Sequence, residues 1–218
     1  MIPDYNRAAQ KALEILIENN IRETPIMPLP IIKKRPGVMV LSFTEMSSLT
    51  DIDRNSLVSM FGENQDAATI RLDNGPVQYV TAYNQRLPLY MLQRALAREL
   101  GHIVLGHDGS RPYDIRNAEA LSFAHHLLCP RPLIRSIQEA GVKLTIEVIG
   151  NITGCYERCL AGIRREPGVS VPADLNRAVK DLFTDHVKNF LAFQKYFAKG
   201  DESPLADFGP YMENYTEL

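Results

Sequence analysis

Residues 95–107 read ALARELGHIVLGH and determine how the rest of the chain is interpreted. Glu99 and His102 match the second half of H-E-x-x-H, in which two histidines four residues apart on one helix face bind zinc and the glutamate acts as general base. The position of the first histidine holds Arg98. A guanidinium carries five donors, has no lone pair to give and stays protonated in proteins. The stretch therefore predicts a zinc-site helix with one ligand replaced by a fixed positive charge.

Composition limits the classes of protein that fit. The chain has 218 residues, 45% apolar and 23% charged residues and a net charge of −2, which is typical of a globular protein and argues against direct nucleic-acid binding. It has no run of eighteen apolar residues, and its first twenty residues lack the apolar core of a secretion signal, so we expect no membrane association. Three cysteines indicate no disulfide framework and favour a cytoplasmic location.

Hydrophobic periodicity and turn residues predict an α+β fold with a short antiparallel sheet followed by a helical bundle. We expect an extended connector over the proline-rich residues 24–37, a strand at 38–43 and a hairpin formed by 67–72 and 77–84. The predicted helices are 4–20, 88–107, 116–130, 131–141, 145–165 and a long amphipathic helix at 173–198, which also offers a face for a homodimer.

Glu119 is the candidate for a third ligand, because it opens the helix that follows the motif and an antiparallel return would bring it opposite His102. One hypothesis places Arg98 where the metal would be, with Glu119 accepting a charge-assisted hydrogen bond from it. His107 lies five residues after His102, about 140° around a continuous helix, and should face elsewhere. For His107, His125 and His126 we expect capping or surface hydrogen bonding, with a rebuilt metal site as the alternative.

Three blocks carry a resemblance to a known family. YNQRLP (83–88), ALARELGHIVLGH (95–107) and AEALSFAHHLLCPRPLI (118–134) occur in the order and at the spacing typical of the ImmA/IrrE group of zincin-like metallopeptidases. The segment 146–163 resembles the helix-turn-helix-like region that follows in that group. The resemblance spans roughly residues 5–165. It implies a metallopeptidase-fold domain over 1–165, with the C-terminal helix and acidic tail of 166–218 packed on or beside it.

The resemblance also assigns roles to individual residues. Glu99 matches the general base, His102 the second zinc ligand and Glu119 the third, whereas Arg98 departs from the first ligand position. Members of the group are zinc-dependent cytoplasmic proteins of bacteria and their phages, and they act on DNA-binding repressors, typically by cleaving them. The resemblance therefore implies zinc as cofactor and a protein or peptide, such as a repressor, as partner.

Three interpretations follow from Arg98. The first is a degenerate peptidase that binds a transcriptional regulator or a peptide without efficient cleavage, with an exposed sheet edge to which the peptide adds as a strand. The second is an active zinc-dependent endopeptidase with unusual ligation, which the retention of Glu99, His102 and Glu119 favours. The third is a purely structural network in which these residues form a buried ion-pair cluster with Arg98.

Overall fold

The computed structural model describes residues 2–60, 66–155 and 168–198. The fold is mixed α+β, as predicted. Its elements, in chain order, are α1 (Tyr5–Glu18), α2 (Pro28–Lys33), β1 (Val38–Ser42), α3 (Phe43–Thr50), α4 (Arg54–Met60), β2 (Ala67–Arg71), β3 (Tyr79–Tyr83), α5 (Leu89–Val104), α6 (Tyr113–Leu128), α7 (Arg131–Glu139), α8 (Ile146–Thr153), α9 (Ala173–Leu182) and α10 (Thr184–Ala198).

The three strands form a mixed sheet in the order β1-β3-β2. The predicted hairpin is confirmed, because β2 pairs antiparallel with β3 and Thr69 lies opposite Thr81. The prediction of a purely antiparallel sheet is wrong for β1, which pairs parallel with β3 from Val38 opposite Tyr79 to Ser42 opposite Tyr83. The chain between β1 and β2 carries α3 and α4, so β2 can return on the far side of β3 and become an edge strand.

A helical core lies behind the sheet, where α1, α5 and α6 pack together. Leu16 of α1, Leu100 of α5 and Phe123 of α6 are fully buried there. Gly101 allows the close crossing of α5 and α6, because a Cβ at this position would lie 3.0 Å from the carbonyl oxygen of Ala120. The crossing brings the motif helix against the start of α6, which carries Glu119.

Several predicted elements differ from the structure. The helix predicted over 145–165 ends at Thr153, before Gly154 with its φ of 67°. The proline-rich connector contains the short helix α2, in which Pro28 takes the first helical position, where a missing N–H costs nothing. Burial of Ile31 and Ile32 fixes that helix in the core. The predicted single helix over 173–198 is instead α9 and α10, which meet at the fully buried Phe183. Val179, Phe183 and Val187 extend the core that α1 begins.

Some predictions fall outside the described residues, namely the helix over 156–165 and the acidic tail. Within the ranges that the structure describes, no helix combines the length and the apolar character that a membrane crossing requires.

Candidate functional site

The end of α5 places two histidines side by side. The helix stops at Val104, and Gly106 has a φ of 63°, in the left-handed region that glycine adopts without strain. The His107 N–H then donates to the carbonyl of His102 at 3.0 Å, and the Gly106 N–H donates to that of Ile103 at 3.1 Å. These two bonds form a Schellman motif, which turns the residue after the glycine back against the last helical turn. The rings of His102 and His107 consequently meet edge to face, with centroids 5.0 Å apart.

The opposite wall of the site is the outer side of β2. The carbonyl of Asp66 accepts a hydrogen bond from the Asn84 N–H at 2.9 Å, and the Leu72 N–H donates to Gln78 at 2.8 Å. Hydrogen bonding alternates sides along an antiparallel strand. The backbone groups that point away from β3, toward α5, therefore belong to Ala67, Thr69 and Arg71.

Arg98 and Glu99 join α5 to this edge. Arg98 Nε donates to the Glu99 carboxylate at 2.9 Å, and a terminal nitrogen of Arg98 donates to the carbonyl of Ala67 at 2.8 Å. Glu99 is only 3% exposed. Burial raises the pKa of Glu99, and the Arg98 charge and hydrogen bonds from Thr69 act in the opposite direction. The carboxylate that matches the general base is thus already engaged by a guanidinium.

Glu119 is surrounded by donors. One carboxylate oxygen accepts the backbone N–H of Asp4 at 2.8 Å and a terminal nitrogen of Arg111 at 2.9 Å. The other oxygen accepts the second Arg111 nitrogen at 2.9 Å and lies 3.0 Å from His107 Nε2. Burial would raise the pKa of Glu119, but these hydrogen bonds outweigh it and lower the pKa. Four nitrogens, from Asp4, His107 and both ends of the Arg111 guanidinium, thus lie within 3.0 Å of this carboxylate.

A chain of hydrogen bonds runs from Glu119 through His107 to His102. Because His107 Nε2 faces an ionised carboxylate, that nitrogen carries a proton and Nδ1 of a neutral His107 accepts. His102 Nδ1, 2.9 Å from His107 Nδ1, is then the donor. Burial, with the nearby His107, Arg98 and Arg116, lowers the pKa of His102 to about 3, so its ring is neutral near pH 7. His102 Nε2 is left as a lone-pair acceptor.

These walls enclose a cleft of about 270 Å³. Its charged lining consists of three arginines and the buried Glu99, and His102 and His107 contribute neutral rings. The cleft therefore has an excess of positive charge, although the chain as a whole carries −2. Its lining residues are Ala67, Ala68, Thr69, Arg71, Tyr79, Arg98, Glu99, His102, His107, Tyr113 and Arg116.

The side chains around the cleft do not fit the zinc ion that the resemblance implies. Arg98 has no lone pair to offer, and the Glu119 carboxylate is already bound by Asp4, His107 and Arg111. His102 contributes one nitrogen, which is fewer than the three protein ligands of a catalytic zinc site. Within the described part of the chain, no group of three or more His, Cys, Asp or Glu side chains is arranged to hold a metal.

The structure also corrects the predicted contacts. The Arg98–Glu119 ion pair is wrong, because the Arg98 guanidinium pairs with its neighbour Glu99 while Arg111 occupies Glu119. The prediction that His107 faces away from His102 fails because α5 ends three residues before it. His125 and His126 lie on α6 outside the cleft lining, and the expectation of surface hydrogen bonding is wrong for His107 and His126, which are both buried.

Sequence reasoning missed Arg111 and Arg116 altogether and underestimated His107. A signal for His107 was present, since a glycine at the end of a helix brings the residue after it onto the last helical turn. Arg111 precedes α6 in a loop, and no periodic pattern places loop side chains.

Comparisons with models of protein families, with curated proteins and with solved structures give no significant match.

Proposed function

We propose that this chain is a cytoplasmic protein with an ImmA/IrrE-like metallopeptidase fold that binds a peptide segment of a protein, such as a DNA-binding repressor, without cleaving it. The observation that carries the proposal is the ion pair between Arg98 and Glu99, with an N–O distance of 2.8 Å. A guanidinium stands at the first ligand position and holds the carboxylate that would activate water.

The binding half of the proposal rests on the outer edge of β2, on which no further strand of the described residues pairs. Thr69 and Arg71 present backbone groups away from β3, and an extended peptide can add to such an edge through main-chain hydrogen bonds. The cleft beside this edge offers the peptide's side chains a pocket lined by Tyr79 and Tyr113. Arg98 occupies the Ala67 carbonyl, so we expect pairing to use the part of the edge that follows it.

The alternative function is an active zinc-dependent endopeptidase with unusual ligation. In its favour, His102 is neutral and has a free Nε2, which is the form of histidine that binds metal. Against it, zinc would have to displace Arg98 from Glu99 and Arg111 from Glu119. We therefore favour binding without cleavage.

To test this proposal, the full-length chain is immobilised and N-acetylated octapeptides of random sequence are added with and without zinc. The masses of the retained peptides are then measured by mass spectrometry. We expect retention at full mass in both conditions. Fragments that depend on zinc would support the endopeptidase, and no retention at all would contradict peptide binding.

A pair of variants tests the strand-addition step. Arg71→Pro removes an N–H that points away from β3, so no sheet hydrogen bond is lost while the outer edge is blocked. Arg71→Gln removes the same charge and keeps the N–H. We expect the Arg71→Pro variant to retain few of the octapeptides and the Arg71→Gln variant to retain most of them. Equal retention by the two variants would contradict binding at this edge.

A further inference from the structure

Arg116 differs from the other arginines around the cleft in its partners. Arg98 pairs with Glu99, Arg111 with Glu119, and Arg71 lies 3.8 Å from Asp108 at the exposed rim. No carboxylate of the described residues lies within 4.0 Å of the Arg116 guanidinium, whose recorded hydrogen bond goes from Nε to the Arg111 carbonyl at 2.9 Å. Its positive charge lines the cleft, and no carboxylate in the described part of the chain pairs with it.

The position of this guanidinium is fixed by its neighbours. The bond from Nε to the Arg111 carbonyl holds one side, and the Tyr113 ring lies beneath, with its centroid 5.9 Å from the guanidinium carbon. Its two terminal nitrogens remain as parallel donors. A guanidinium held in this way suits a planar carboxylate, which accepts two hydrogen bonds side by side.

The other groups in the cleft select the kind of molecule that brings the carboxylate. The outer edge of β2 offers the carbonyl of Thr69 and both backbone groups of Arg71. A peptide in extended conformation carries matching N–H and C=O groups. We propose that the cleft recognises a carboxylate of an extended peptide, which Arg116 binds; this rests on the proposed function.

Two sources of the carboxylate fit this chemistry, namely the C-terminus of a peptide and the side chain of an internal Asp or Glu. Three pools of N-acetylated random octapeptides separate them. The first pool has a free C-terminus and no acidic residue, the second is amidated and has no acidic residue, and the third is amidated with one central Asp. Each is applied at low salt to the full-length chain and to its variants.

We expect the first or the third pool to be retained about tenfold more than the second, since charge-assisted hydrogen bonds contribute at least that factor in affinity. Preference for the first pool identifies a terminal carboxylate, and preference for the third identifies a side chain. Arg116→Gln should reduce retention of the preferred pool to that of the second pool. Arg116→Lys, which keeps the charge but not the paired donors, should give intermediate retention.

Arg86→Gln is the matched control, because Arg86 is exposed outside the cleft and its loss removes the same charge. This variant should keep the preference. Equal retention of the three pools by the native chain, or an undiminished preference in Arg116→Gln and Arg116→Lys, would overturn the carboxylate proposal while leaving peptide binding standing. Retention of no pool would overturn both.

Discussion

Arg98 and Glu99 are consecutive residues of α5, yet their side chains form an ion pair of 2.8 Å in which both are largely buried. The pair extends to β2, because Arg98 also donates to the Ala67 carbonyl at 2.8 Å. The same guanidinium, at the position of the first histidine in the motif, thus binds the Glu99 carboxylate and joins the motif helix to the sheet edge.

Arg98→Met should lower the free energy of unfolding by about 2 kcal/mol, because it leaves the Glu99 carboxylate buried without its charged partner. Urea denaturation followed by circular dichroism measures the change. The double variant Arg98→Met/Glu99→Gln should recover part of the loss, since a neutral amide costs less to bury. If the Arg98→Met variant has the same urea midpoint of unfolding as the native chain, the ion pair does not stabilise the contact between α5 and β2.

Glu119→Gln should lower the free energy of unfolding by about 3 kcal/mol, since the amide places donors against the guanidinium of Arg111 and leaves that part-buried charge unpaired. Thermal or urea unfolding would show the loss. Glu139→Gln is the matched control, because Glu139 pairs with Lys180 at the surface and such pairs contribute at most about 1 kcal/mol. If the two substitutions lower the free energy of unfolding equally, the donors around Glu119 do not stabilise the protein more than a surface ion pair does.

Gly101→Ala should destabilise the protein by about 1–3 kcal/mol. Its added Cβ would lie 3.0 Å from the Ala120 carbonyl oxygen and 3.1 Å from the Phe123 ring, which is closer than the α5–α6 crossing permits. Gly150→Ala in α8 is the comparison, because its nearest neighbour would be 3.5 Å away. There the gain in helix propensity, up to about 1 kcal/mol, should dominate. A neutral or stabilising Gly101→Ala would contradict the tight crossing.

The fold was predictable where the local sequence pattern also indicates which element packs or pairs with which. The alternation around DNGP identified the β2–β3 hairpin, and the periodicity before Asn19 identified α1. The parallel pairing of β1 was not predictable, because an apolar strand pattern does not indicate which strand it pairs with or in which direction. α2 was missed because proline was counted only as a helix breaker, although Pro28 stands at the first helical position.

The candidate site shows the same division between local and distant contacts. Glu99, His102 and Glu119 come from the motif, and the structure brings them to neighbouring elements. Their partners depend on distant parts of the chain, since the Asp4 N–H reaches Glu119 across 115 residues and Ala67 reaches Arg98 across 31. Spacing within one helix cannot reveal such contacts. The Arg98–Glu99 pair is local, but it was also missed, because consecutive residues lie about 100° apart around a helix and were not expected to pair.

Zinc binding should be recoverable in two steps. Arg98→His places a second imidazole four residues from His102 on α5, but Glu119 stays held by Arg111. The double variant Arg98→His/Arg111→Gln leaves only the Asp4 N–H and His107 on that carboxylate and should bind zinc at least about tenfold tighter than Arg98→His, since Glu119 can then act as a third ligand. Competition with a zinc-binding dye measures both affinities, and Arg111→Gln alone is the control. If the single variant binds as tightly as the double one, the Arg111 pair does not block the site.

The most direct test of the central claim, that Arg98 replaces the metal of a peptidase site, is the zinc content of the untagged full-length chain. The protein is equilibrated with excess zinc, freed of unbound metal by gel filtration and analysed by inductively coupled plasma mass spectrometry. The account predicts no stoichiometric zinc. One zinc per chain, lost on treatment with chelator, would contradict it and would require Arg98 and Arg111 to leave the carboxylates that they hold in this structure.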